Sequence, residues 1–303
     1  MKYLKLIRLP EIFLVIFVQF LIKYYLFEPF AVSITLNGFG LFLVTLSSVC
    51  LVMGSQVISA IFQARAIRVN NPEEVTVGKE ISEKGAYNFF IILNVIAVGV
   101  GFYLSNIIGR PMFSAIFIVI SALTYIHASF LKNYALIDNI VIAALSAFSI
   151  IILALFDLLP AITPENQVSQ NTLFSILLDY SLFAFLMVLL IEVINDQENI
   201  NGHHKIGIKT LPILLGKERT NKLICAFTIL PILAVIYYMY TYLYHNQYAL
   251  LYALFLILAP LLYFVVKTWN ASTQKNYRHL SFVLKMIILL SIMSIGLYQF
   301  ILL

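Results

Sequence analysis

Between Ile191 and Lys217 the chain reads I-E-V-I-N-D-Q-E-N-I-N-G-H-H-K-I-G-I-K-T-L-P-I-L-L-G-K. An apolar run of about 172–194 leads into this stretch, and another begins near 223. A helix needs roughly 20 apolar residues to cross a hydrocarbon core of about 30 Å. The quoted residues are therefore read as the polar connection between two membrane spans. Glu192, Asp196, Asn199 and His203 recur at three to four residues, so a helix places them on one face. The run from Lys205 through Gly207, Lys209, Thr210, Leu211 and Pro212 to Gly216 is too specific for a generic solvated loop.

The same alternation of apolar and polar runs through the whole chain. Its 303 residues are 62% hydrophobic and 11% charged, with a mean hydropathy of +0.96. Soluble domains carry about 25% charged residues. This composition excludes a soluble enzyme, a disordered chain and a nucleic-acid partner. Nine windows satisfy the spanning length: about 10–28, 38–62, 86–105, 112–131, 137–158, 172–194, 223–243, 248–268 and 281–302. The N-terminal segment lacks a small-residue cleavage site and is read as a retained first span rather than a signal peptide. Cys50 and Cys225 lie in apolar runs and are read as free, small hydrophobes.

Orientation follows from the basic residues, which concentrate on the cytoplasmic side. With the N-terminus inside, the inner segments hold Lys2, Lys5 and Arg8; Arg65, Arg68, Lys79 and Lys84; Lys132; Lys205, Lys209, Lys217, Arg219 and Lys222; and Lys267, Lys275 and Arg278. The outer segments hold Arg110 alone, while Lys23 and Lys285 fall within spans. The net charge of +5 is thus a consequence of topology. The expected location is a bacterial inner membrane, with the C-terminus opposite the cytoplasm. Two inner loops are long, at about 63–85 and 195–222, and each follows a pair of spans within one half of the chain.

The Ile191–Lys217 stretch resembles the second signature of the UbiA-type intramembrane prenyltransferases, D-x-x-D-x-x-x-D followed by K-x-G-x-x-T-L-P and a glycine. Leu6-Ile7-Arg8-Leu9-Pro10 and the pairing of Lys132 with Asn139 are similar to that family too. The resemblance implies an all-α polytopic membrane protein. It implies nine transmembrane helices in a UbiA-like bundle with cytoplasmic cap loops over a central cavity, one domain over 1–303. It also implies transfer of an isoprenyl group from its diphosphate to an aromatic or glycerol-type acceptor. In that chemistry two Asp-rich signatures hold Mg²⁺ on the leaving diphosphate, since a hard dication neutralises developing charge.

This chain departs from the family at the residues that matter most. The first signature normally reads N-D-x-x-D-x-x-x-D-x-x-N-K-P. Here Asn70 and Pro72 keep the register and Val77-Gly78-Lys79-Glu80-Ile81-Ser82 continues it, but Ala60, Gln63 and Ile67 stand at the Asp positions. In the second signature Asp196 remains, with Asn199 and His203 at the other two. One metal carboxylate of six survives. Ala and Ile offer no ligand, Gln and Asn only neutral ones, and imidazole suits softer metals than Mg²⁺.

Asp196, with Glu192 and Glu198, is the candidate for holding one cation, against an ordinary solvated helix end. Arg65, Arg68, Asn70, Lys132, Lys205 and Lys209 are candidates for a diphosphate or phosphate head group, against simple positive-inside topology. His203 and His204 are expected as surface loop residues, because neighbours on a helix point to different faces. Glu73, Glu74, Glu80 and Glu83 are expected on a solvated loop face. Asp179 lies deep in the sixth span and Lys285 near the inner end of the ninth, where it can snorkel.

The expected function is that of a catalytically degenerate family member. It would bind an isoprenoid or lipid in its central cavity and act as a subunit or partner in a membrane complex, with no cofactor. The alternative is an active prenyltransferase with altered metal dependence, Mg²⁺ entering only there. A transporter is disfavoured, because no Gly- or Pro-broken span recurs in both halves.

Overall fold

In the computed structural model the described residues are 2–70 and 75–298, the side chains of Arg65, Ala66 and Asn70 excepted. Among them are nine helices long and apolar enough to span a membrane. They are α1 (Leu9–Phe27), α2 (Gly38–Asn70), α3 (Glu83–Ile107), α4 (Pro111–Ser129), α5 (Ile137–Ala161) and α6 (Gln167–Glu198), then α9 (Lys217–Leu243), α10 (Gln247–Trp269) and α11 (Gln274–Leu297). Two short helices, α7 (Ile200–Ile206) and α8 (Leu211–Leu215), lie between α6 and α9. Each span coincides with one apolar window of the sequence. No β-strand occurs among the described residues.

Two corrections concern the long segments read as inner loops. The region read as a loop over 195–222 is almost wholly helical, since α6 runs on to Glu198 and α7, α8 and α9 follow closely. Gly207 closes α7 with a left-handed backbone, φ +79°. That conformation suits glycine at a helix end, where no Cβ meets the preceding carbonyl. The region read over 63–85 is likewise shortened, because α2 continues to Asn70. Ser82 starts α3 by accepting a hydrogen bond from the Gly85 N–H at 3.1 Å.

The chain forms two compact units. The first comprises residues 1–132 and 148–177. In it α2 packs on α1, α3 and α4. Ala97, Gly101 and Ser105 make a buried face of small residues along α3. A Cβ at Gly101 would come within 2.2 Å of the Phe117 ring of α4, so only glycine lets that ring rest on the α3 backbone. Small residues let membrane helices approach closely, and interhelical hydrogen bonds strengthen the packing. Ser47 donates to the Ala97 carbonyl at 2.6 Å, and Ser121 to the Asn94 side chain at 2.6 Å. Thr45 donates to Gln19 at 2.8 Å.

This unit also buries an ion pair that the sequence reading missed. Lys23, at the end of α1, is 2% exposed, and its Nζ lies 2.8 Å from the Oδ2 of Asp157, which is fully buried. Asp157 Oδ1 accepts the Leu36 N–H at 2.7 Å, and the Leu36 carbonyl accepts from Lys23. The Thr35 N–H donates to the Asp157 carbonyl at 3.0 Å, and Gln170 donates to the Ser33 carbonyl at 2.6 Å. Residues 33–36 between α1 and α2 are thereby tied to α5 and α6. Lys23, placed within a span by the sequence, is half of a satisfied buried pair.

The second unit comprises residues 133–147 and 178–303, with α10 packed on α9 and α11. Its α11 begins at Gln274, earlier than the sequence window. Lys285 therefore sits about 16 Å along the helix, deeper than an end position. Asp179, about 18 Å along α6, is exposed rather than buried within the bundle.

Removing one partner of a buried ion pair costs about 3–5 kcal/mol, because the other charge is left uncompensated. Lys23→Met is expected to lower the unfolding free energy by that amount. Thermal unfolding in detergent, with the exposed Lys2→Met as control, measures it. Equal melting of the two variants would refute the role of the pair.

Candidate functional site

The last turns of α6 carry Glu192, Asn195, Asp196, Gln197 and Glu198, Asn199 forms the turn that follows, and other side chains of the second unit close around them. Asp196 is 4% exposed. Its Oδ2 accepts from Asn139 Nδ2 at 3.0 Å, and its Oδ1 lies 3.6 Å from His203 Nδ1. Asn139 stands in the first turn of α5, and His203 on α7, which the turn at Asn199 folds back toward α6. His203 is buried while His204 is exposed, so the expectation of two surface histidines holds for His204 only. The physical reason is the short helix α7: its buried side carries Gly202 and His203.

Around this carboxylate several polar side chains bond to one another, while the buried Gln197 Oε1 has no hydrogen-bond partner among the described residues. Ser281 donates to Asn195 Oδ1 at 3.1 Å, Asn195 to Glu192 at 3.3 Å, and Asn199 to the Asn195 carbonyl at 2.9 Å. Gln197 donates to the Lys217 carbonyl and to Asn221 Oδ1, both at 2.9 Å. Asn221 and Tyr277 both donate to the Ala271 carbonyl, at 2.7 and 2.9 Å. Arg278 reaches Glu198 at 3.1 Å. The result is a polar plug that pins α6, α9 and α11 together. Gln197, Asn221 and Tyr277 were not singled out in the sequence. Gln197 stands next to Asp196, and Asn221 at the end of the polar stretch, but their pairing needed the packed helices.

The other candidates are placed as follows. Lys205 lies on α7 and Lys209 in the link to α8, both exposed. Lys132, which ends the first unit, is buried, at 9% exposure. Arg68 is exposed on the last turn of α2, with its guanidinium above Gly78. The side chains of Arg65 and Asn70 lie outside the described residues, as do Glu73 and Glu74. Glu83 is exposed, as expected. Glu80 instead pairs with Lys5 at 2.6 Å, and that hydrogen bond holds its carboxyl below the usual carboxylate range.

No group of three or more His, Cys, Asp and Glu side chains able to hold a metal occurs among the described residues. Asp196 has one oxygen on a carboxamide N–H and the other beside an imidazole. Mg²⁺ asks for several oxygen ligands in near-octahedral array, usually with a carboxylate or two to spare. This donor set does not fit a paired Mg²⁺ site.

A family model described as the UbiA prenyltransferase family matches residues 14–290, and the chain belongs to that family. Its relatives include digeranylgeranylglyceryl phosphate synthases. That of Methanosphaera stadtmanae is 27% identical over 196 residues, 65% of this chain and 64% of the relative. That of Methanopyrus kandleri is 30% identical over 178 residues, 58% of each. The chain thus matches less than two thirds of these relatives' length. Among solved structures, a UbiA homologue from Aeropyrum pernix K1 superposes with a TM-score of 0.69 at 13% identity, covering 95% of this chain and 99% of that one. A UbiA homologue from Archaeoglobus fulgidus, bound to GPP and Mg²⁺, gives 0.59 at 16% identity, covering 98% and 99%. These likenesses establish the fold. The protein is an integral membrane member of a family whose relatives are prenyltransferases.

A carboxylate whose pKa is lowered on folding adds stability above its unfolded pKa and loses it as the pH falls through the folded value. Glu80→Gln is therefore expected to be less stable than the parent above about pH 4.5 and equal to it at strongly acidic pH. Unfolding followed from pH 7 down to pH 2 in both proteins measures this. A constant difference across that range would contradict it.

Proposed function

We propose that this protein is a degenerate UbiA-family membrane protein. It binds an isoprenoid or lipid tail and works as a subunit or partner of a membrane complex without metal-dependent prenyl transfer. One observation carries this reading. Of six positions where the family signatures place Asp, only Asp196 is a carboxylate, and its oxygens face Asn139 and His203. Residues 1–303 act as one domain in this reading. Arg65, Arg68, Asn70, Lys132, Lys205 and Lys209 serve the phosphate head group, as fixed positive charge attracts phosphate without a metal. The membrane is a bacterial inner membrane, with the N-terminus cytoplasmic and the C-terminus opposite.

A second reading draws on the relatives named digeranylgeranylglyceryl phosphate synthase. In it the chain still transfers a polyprenyl group from its diphosphate to a glycerol-phosphate lipid or an aromatic acceptor. The basic side chains then stand in for metal charge at the leaving group. Losing preorganised charge there costs about 10²–10³ in rate per donor, so this version turns over slowly with weak Mg²⁺ dependence.

The full chain in liposomes, given Mg²⁺, allylic polyprenyl diphosphates and acceptors of both classes, is expected to form no product. It is expected to bind the diphosphate without Mg²⁺, and Lys209→Gln to weaken that binding. Slow, Mg²⁺-independent product would establish the second reading. Turnover that requires Mg²⁺ and vanishes in Asp196→Ala would overturn the degenerate reading.

The positive-inside count predicts that a protease-cleavable tag at the N-terminus is protected in spheroplasts and one at the C-terminus is cut. The reverse pattern would invert the topology.

A further inference from the structure

Pro260 has no N–H to give the helix and its ring crowds the carbonyl four residues back. Immediately before it, Ala253–Leu258 of α10 widen into π-helical turns. Beside this widened stretch α10 and α11 leave an open groove of about 430 Å³, lined among others by Phe255, Pro260, Tyr263, Phe282 and Met286. The volume lies in the range of roughly 300–1,000 Å³ typical of small-molecule sites. Phe255 and Phe282 are 63% and 59% exposed, as suits side chains that meet hydrocarbon rather than water.

The groove is polar at one end only. There Tyr263 Oη and His279 Nε2 are 3.0 Å apart. Lys267 lies one turn further on, with Nζ 5.7 Å from the Tyr263 ring centre. Residues 247–298 hold no Asp or Glu, while Lys267, Lys275, Arg278 and Lys285 are basic. Arg278 is engaged by Glu198, and Lys267 is the cation placed against Tyr263 at the polar end. Trp269, the single tryptophan, ends α10 just beyond, at the level where indole rings favour the membrane–water boundary. From Phe255 to Tyr263 is about 12 Å, and from His279 to Leu290 about 16 Å, near half of a hydrocarbon core of about 30 Å.

We infer that the α10–α11 groove is a site for an anionic glycerophospholipid, one acyl chain lying along it and the phosphate held by Lys267 and His279. An apolar channel of one-leaflet length, closed by a cation, a hydroxyl and an imidazole, matches that amphiphile. A zwitterionic lipid supplies the same tail without the net charge. Basic pockets between membrane helices recognise anionic head groups by this complementarity. The inference stands on the second unit alone, and depends neither on the proposed function nor on the orientation of the chain.

Native mass spectrometry of the purified full chain tests it. The protein is released from detergent containing equimolar dioleoyl phosphatidylglycerol and dioleoyl phosphatidylcholine. One phosphatidylglycerol is expected to stay bound, favoured about fivefold, the contribution of one basic residue near a membrane surface. Lys267→Gln with His279→Gln should bring its retention down to that of phosphatidylcholine. Ala259→Phe, or Met286→Trp if the first does not fold, should fill the groove and remove the bound lipid. Melting temperatures matched to the parent establish folding of each variant. Equal retention of the two lipids overturns the proposal, as does retention unchanged by filling. So does a dimer that filling dissociates while lipid retention stays the same.

Discussion

A carboxylate buried among apolar helices has to be met by donors, because a charge left unsatisfied in the interior costs far more than the packing of one side chain can offset. Asp157 and Asp196 are two of the buried carboxylates among the described residues. Asp157 takes Lys23 and the Leu36 N–H, and so ties the segment between α1 and α2 to the end of α5. Asp196 takes Asn139 and faces His203, and so ties α5 and α7 to the end of α6. Both solutions draw on residues far apart in sequence. Both also fall at helix ends, where the chain can bring a loop amide or a short helix to the carboxylate.

The surroundings of Asp196 bear directly on function. In the family signature its counterparts work with other Asp side chains, whose collective negative charge would hold divalent ions. Here Asn199 turns back to its own helix by bonding the Asn195 carbonyl, and His203 replaces a carboxylate with a ring nitrogen. In this structure one oxygen of Asp196 accepts from the Asn139 amide and the other lies 3.6 Å from the His203 ring. Hydrogen bonds through Gln197, Asn221 and Tyr277 extend the polar contacts to α9 and α11.

Much of this was legible before any packing was known. Apolar windows located all nine spans, since a spanning helix must satisfy its backbone within itself and expose apolar side chains to lipid. The register Asp196, Asn199, His203 was also plain from the letters, and with it the loss of carboxylates. Less legible were the helical nature of 195–222 and the burial of His203. A polar stretch looks the same whether water or a second layer of helix satisfies it. The letters placed Lys23 within a span but gave no sign of its partner, which stands 134 residues away.

The sequence by itself determined the class of fold, the number and position of the spans, the family and the replacement of its acidic ligands. These depend on local periodicity, run length and residue identity. Only the tertiary structure decided which buried charges neutralise one another, which side of α7 is hidden, and that the turns before Pro260 open a groove. Those outcomes depend on how helices meet, and the letters of one helix do not encode the neighbour it will find.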